Sequence, residues 1–217
     1  MAEIVYPTVP TTPVAGSETQ AFLSQTGRGA LKADMVSSKY HALAEAGLIY
    51  TAQFGVVTNA VASVVDIPST GGHFCLWNGA TAGRGAVNYS ILSVGWASAS
   101  GTVGIGAFAV AGVSSGVQAT VSTTSGNLIY SACGSTRPTS AKADSTLTIT
   151  SQPAWGIIGN YNSVSGVGIG FGSVFYADGM FSVPPAFLFA VAVVSPTGSS
   201  PAFLCTITYA EIPSYQV

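Results

Sequence analysis

At 217 residues the chain is long enough for one sizeable β-sandwich or barrel, and 48% hydrophobic residues exclude a disordered chain, which lacks the apolar surface that offsets backbone entropy. Only 6% of residues are charged, against roughly 25% in ordinary soluble domains. A formal net charge of -2 supplies neither a basic field for nucleic acid nor a patch for a membrane surface, so neither is an expected partner.

The surface this leaves, rich in Ser, Thr, Asn, Gln and Gly, can be wet but has little charge repulsion to hold copies apart. Composition therefore predicts a symmetric homo-oligomer that covers the same patches on every copy. Positions 1 to 20 lack the apolar core and basic start of a signal peptide, so synthesis and retention in the cytosol is the expectation. The longest dense apolar run, Ala186 to Val194, falls short of the ~20 residues a spanning helix needs.

Residues 1–29 read as an extended arm. Pro7, Pro10 and Pro13 lie among Thr and Val, a spacing that favours polyproline-like backbone. Val5, Tyr6, Pro7, Pro10 and Pro13 are the candidate interface residues, able to seat in a groove of a neighbouring copy. Ser17 with Gln20 can cap a short helix over Glu18 to Ser24. Residues 30–47 form the helical segment: Asp34 is the N-cap of a helix to Ala46, Gly47 its stop, and Met35, Tyr40 and Leu43 share an apolar face. Seven of the fourteen charged residues lie before position 46.

From residue 48 to 217 short runs of β-branched, aromatic and small residues alternate with Gly, Asn-Gly, Thr-Gly and Pro. The predicted strands are Ile49–Thr58, Ala60–Ile67, His73–Trp77, Ala86–Ser98, Thr102–Val110, Val117–Thr123, Leu128–Ala132, Thr146–Thr150, Trp155–Ile158, Gly168–Tyr176, Ala186–Val194 and Ala202–Glu211. Phe203 to Tyr209 alternates, as a strand with one buried face does, whereas Phe187 to Val194 is apolar throughout and needs cover on both faces. The turns Asp178-Gly179 and Thr197-Gly198 can join strands tightly, and Pro184-Pro185 suits an edge or the start of a strand. Glycines at 104, 106, 166, 168, 170 and 172 place a flat face or a local bend on their strands. The pattern predicts an all-β fold, a jelly-roll-like antiparallel β-sandwich with an N-terminal arm and one or two short N-terminal helices.

Chemistry is sparse. Gly112-Val113-Ser114-Ser115-Gly116 matches the G-x-S-x-G pattern, but a strand pattern follows it and both histidines, His41 and His73, precede it, the reverse of what that hydrolase elbow requires. His73 and Cys75 share a strand face, yet two ligands do not make a metal site. Cys75, Cys133 and Cys205 are an odd, widely spaced set that reads as packed thiols. The acids after position 45, Asp66, Asp144, Asp178 and Glu211, are scattered and read as turn or rim residues. Asn88-Tyr89-Ser90 reads as strand sequence, and Trp77, Trp96 and Trp155 as core aromatics before sugar platforms. The expectation is a protein that is not an enzyme and takes no cofactor or metal.

Three stretches together resemble a known group. Ser38 to Tyr50 is similar to a "GKYYEAxxRGNLF" segment, and Phe74-Cys75-Leu76-Trp77-Asn78-Gly79 with Gly83-Arg84-Gly85 to an "xLxNPxGSGK" hairpin. Val183-Pro184-Pro185, Thr197-Gly198-Ser199-Ser200-Pro201 and Thr206 to Pro213 resemble a "VPPG…GTSP…LTWEEIP" ending. Such segments occur in structural proteins of tailed bacteriophages, and the chain departs from them at Gly79, Ala44, Ala46 and Tyr209-Ala210. The resemblance implies a virion protein made in the host cytoplasm: a capsid decoration or cement subunit, a homotrimer that contacts the major capsid protein. The alternative is a tail-associated or head-fibre subunit that binds a host glycan. The absence of Lys and Arg from 85–136 and 143–217 suits a particle exposed to proteases.

Overall fold

The computed structural model describes residues 23–25, 31–33, 40–55, 60–69, 74–80, 86–99, 106–115, 127–145, 149, 151–162, 172–196 and 202–213. The chain divides into two units, Met1–Ala42 and Leu43–Val217.

In the first unit β1 (Leu23–Gln25) pairs antiparallel with β2 (Leu31–Ala33), Leu23 opposite Ala33. Both lie where helix was predicted, over Glu18 to Ser24 and from residue 30. Pairing these two short segments satisfies their backbone groups in a ladder, which overrides a weak helical preference. The helix predicted to Ala46 is the five-residue α1 (His41–Glu45). Its stop is at the predicted place: Gly47 has φ +67, its N–H reaches Ala44 O at 2.9 Å, and the Leu48 N–H reaches Leu43 O at 2.9 Å. That pair of bonds and a left-handed glycine is the Schellman end.

The second unit is built of antiparallel strands: β3 (Ile49–Phe54), β4 (Val61–Ala62), β5 (Phe74–Asn78), β6 (Val87–Ser98), β7 (Gly106–Ser115), β8 (Leu128–Ser131), β9 (Ala141–Asp144), β10 (Gly156–Asn162), β11 (Gly172–Tyr176), β12 (Ser182–Val183), β13 (Phe187–Val194) and β14 (Ala202–Pro213). One sheet has the order β10-β7-β13-β5-β9, the other β11-β6-β14-β3-β8, with β12 also paired to β6 and β4 to β14. The predicted strands at 49, 73, 86, 128, 155, 186 and 202 start within two residues of observed ones. β9 and β12 went unpredicted, Val117–Thr123 lies outside the described residues, and Ile149 is the described part of the fifth-last run, outside any strand.

The inner faces of both sheets meet in one apolar cluster. Phe54, Ile91, Val94, Phe203 and Ile207 of the larger sheet lie in it with Phe74, Leu76, Phe189, Val191 and Val193 of the smaller. Two buried asparagines bridge the sheets. Asn78 of β5 donates to Val87 O and Val183 O, both at 2.8 Å, and Asn127 accepts from Gly55 N–H while donating to Ala143 O. A buried amide with its partners met in this way fixes register instead of costing stability.

β13 carries the two-sided burial its composition demands. Phe189, Val191 and Val193 face the inner cluster, and Leu188, Ala190, Ala192 and Val194 are buried on the opposite face. The cover there is the chain itself. Val64 and Ser195 bond backbone to backbone along the end of β13, while Ile149 and Trp155 pack on Cys75, Leu188, Val110 and their neighbours. Trp155 Nε1–H donates to Pro68 O at 3.1 Å, tying the two covering segments together. A Cβ at Gly112 would lie 2.7 Å from Pro153 Cβ and 2.8 Å from Ala154 O, so glycine is what lets that cover sit down.

Candidate functional site

The candidate arm residues Val5, Tyr6, Pro7, Pro10 and Pro13 lie outside the described residues, as do His73, Gly116 and the Thr197-Gly198 turn. Of the spaced glycines, 106 and 172 are described.

Ser114 sits inside β7 and is buried, its hydroxyl directed to Ser151 O and Ser115 O. The motif is a strand with a glycine for close packing, not an elbow. Among the described residues no three of His, Cys, Asp and Glu gather to hold a metal. Cys75 and Cys205 are buried and Cys133 is exposed. Burial pushes the Cys75 and Cys205 thiols well above their ordinary range, with Asp144 adding to the effect at Cys75. Trp77 and Trp96 are core residues, and Asn88-Tyr89-Ser90 lies in β6 with Tyr89 fully buried.

Two acids differ from expectation: Asp144 and Glu211 are buried. Glu211 ends a polar network under the irregular segment 134–140, which crosses from β8 to β9. Thr139 Oγ1 donates to Glu211 Oε1 at 2.6 Å, and it accepts from Ala141 N–H and Tyr209 O–H, each at 3.1 Å. Tyr50 O–H reaches Arg137 O, and Tyr89 O–H pairs with Ser140 Oγ. Beneath, the rings meet: Tyr50 stacks on Tyr209 at 5.6 Å, and Tyr89 lies tilted against Tyr209 at 4.8 Å. Burial raises the pKa of all three, Tyr89 up to about 12, with Glu211 opposing ionisation of each. The network saturates its hydrogen bonds internally and faces the core, which marks it as a clamp on the fold.

The open surface is the outer face of the larger sheet. Cross-strand register aligns Tyr130, Thr51, Thr208, Ser93 and Tyr176 in one row across β8, β3, β14, β6 and β11. The next row is Leu128, Gln53, Thr206, Gly95 and Val174, and a shorter third is Leu204, Ala97 and Gly172. None of these thirteen side chains is ionisable near neutral pH. Large side chains stand at both ends, with Leu128 52%, Tyr130 44%, Val174 56% and Tyr176 74% exposed, and small ones lie between. Thr51 and Thr208 share a hydroxyl bond of 3.3 Å, and the Tyr130 hydroxyl is held by Gln53 Oε1. Beside the Val174 ridge runs a shallow groove of about 310 Å³ whose lining includes Gly95, Ala97, Gly172, Leu204 and Thr206.

No sequence motif announced this face. Its residues come from five strands, and only register brings them into rows; the signals were the missing charge and Gly172, one of the spaced glycines that predicted a flat face or a local bend. The two sheets thus differ outside: one is covered over β13 by its own chain, the other is uncovered and uncharged among the described residues. Comparison with protein-family models, curated proteins and solved structures finds no match for the chain.

Proposed function

We propose that this chain is a non-catalytic structural subunit of a tailed-phage particle, a capsid decoration or cement protein that works as a homo-oligomer. The carrying observation is the uncharged outer face of the larger sheet, with exposed apolar side chains at both of its ends. Such a face has no ion to desolvate and gains from each apolar contact it makes. A closed homotrimer gripping the major capsid protein, with the arm residues Val5, Tyr6, Pro7, Pro10 and Pro13 reaching a neighbour, is the assembly we infer.

The finer architecture we propose is a jelly-roll sandwich. Taken in chain order, β3, β5, β6, β7, β10, β11, β13 and β14 pair as β3-β14-β6-β11 and β5-β13-β7-β10. Those are two interlocked Greek keys, an arrangement found in viral capsid and lectin domains, with β8 and β9 as an added pair at one edge. Fold alone does not assign a role, so the particle reading draws also on the phage-like segments at 38–50, 74–85 and 183–213.

The test is co-purification. Particles from a host expressing the gene, banded by density and stripped of loosely bound protein, are expected to retain this chain on their heads by antibody labelling. Recovery wholly in the soluble fraction, as a monomer, refutes the proposal. Labelling of tails or head fibres together with glycan capture supports instead the alternative of a host-binding subunit, for which exposed Tyr130 and Tyr176 are the relevant observation.

A further inference from the structure

We propose that the outer face of the larger sheet is a two-fold contact between copies of this chain, in which the Val174–Tyr176 ridge of each copy seats in the groove of the other. The inference rests on the homo-oligomeric reading above and names the surface and the symmetry it uses.

The relief of the face is self-complementary. On β11, Val174 and Tyr176 project as a ridge, each more than half exposed. Beside them Gly95, Ala97 and Gly172 leave the sheet nearly bare, and the groove opens there. A two-fold axis passing between ridge and groove lays each ridge into the opposite groove, the isologous arrangement in which one patch meets itself. A ridge without a groove would need a different partner; here one face carries both.

Charge and size agree with this occupant. A second copy brings an identical uncharged face, so contact strands no ion and meets no like-charge opposition. Five strands at ~4.8 Å spacing, with the rows spanning five residues on β6, β11 and β14 and three on β3 and β8, give a footprint of roughly 20 Å across the strands by about 10–17 Å along them. That is smaller than the ~800 Å² per partner of a standard interface, which suits a contact that works together with the other contacts of an assembly. The middle of the smaller sheet's outer face offers no equal surface, because Ile149, Trp155 and Val64 already cover it. The two-fold contact also combines with a trimer, since three-fold and two-fold axes together make a hexamer.

The experiment is sedimentation velocity of the full chain over a concentration series, alongside Val174→Lys/Tyr176→Lys. Both positions are outward and well exposed, so the variant keeps its strands, which far-UV circular dichroism and an unchanged melting temperature at dilution check. The wild type is expected to associate into an even-numbered species, as strongly in ~1 M NaCl as in ~0.05 M because no ion pair is screened. The variant is expected to lose at least about 100-fold in association constant, since four lysines per contact would be desolvated without partners. Association that the variant leaves intact, including a trimer, overturns this contact while sparing the oligomeric reading; a monomer at every concentration overturns both. Wild-type binding of a neutral oligosaccharide that the variant abolishes, with no change in mass, reassigns the face to a saccharide and also overturns the proposal.

Discussion

Replacing Thr139 by Val tests how much the buried tyrosine clamp holds. The hydroxyl has one proton and two lone pairs, and all three are used: a carboxylate can only accept, so the proton goes to Glu211, while Tyr209 and Ala141 donate inward. Valine keeps the shape and removes all three bonds. A bond to a charged group contributes about 1.5–3 kcal/mol and each neutral one about 1 kcal/mol, so the loss sums to roughly 3–5 kcal/mol. Partial rescue of Glu211, still 5% exposed, by water brings the expected loss to about 3 kcal/mol. That is a large share of the ~5–15 kcal/mol total of an ordinary domain and lowers the melting temperature by on the order of 10 °C. Urea unfolding should show a lower midpoint at unchanged slope, and Thr139→Ser, which keeps the hydroxyl, should lose under about 1 kcal/mol. A Thr139→Val loss below about 0.5 kcal/mol refutes the clamp, as does a Ser variant as weak as the Val one.

The same tyrosines set an alkaline limit. Their pKa values are raised by folding, so the native state keeps protons the unfolded chain has lost; stability is whole below pH ~10 and falls above it, by up to about 1.4 kcal/mol per pH unit for each of Tyr50, Tyr89 and Tyr209. Urea midpoints from pH 9 to about 11.5 check the slope, and a flat or rising profile contradicts the burial. A thiol reagent should label Cys133 alone in the native protein and all three cysteines after unfolding; rapid native labelling of Cys75 or Cys205 would contradict their placement. Gly112→Ala should lose about 1–3 kcal/mol by pushing off the Pro153–Ala154 cover, read as a lower melting temperature. Ala186 holds φ +65 after Pro184-Pro185, with Phe187 N–H bonded to Pro184 O at 3.1 Å. Ala186→Gly should therefore stabilise by about 0.5 kcal/mol, strain relief of ~1–2 kcal/mol less the greater freedom of an unfolded glycine.

How far the fold could be read from residues depended on how local each signal was. The unbroken apolar run at 187–194 required cover on both faces, and β13 has it, because that requirement is a property of eight adjacent side chains. Gly47 ended α1 as expected, since a left-handed stop is also local. β9, Ala-Lys-Ala-Asp, was illegible: it has no β-branched or aromatic residue and is a strand only because Cys75 to Asn78 pair with it. Asp144 and Glu211 looked like surface acids because most groups around them, Cys75 for one and Thr139, Tyr50 and Tyr89 for the other, are distant in sequence. The outer face of the larger sheet was hidden for the same reason, as its rows exist only after five strands find their register.

The position of β14 bears on how the molecule is made. It lies in the middle of the larger sheet between β6 and β3, and Thr51 bonds to a residue 157 positions later in the chain. During synthesis β3 and β6 emerge long before the strand that separates them, so for most of translation each presents a bare edge beside the other. Low contact locality of this kind slows folding and leaves those edges open to wrong pairing. The larger sheet can close only once β14 has left the ribosome, and a ribosome that stalls before β14 would release a product whose larger sheet has a gap at its centre.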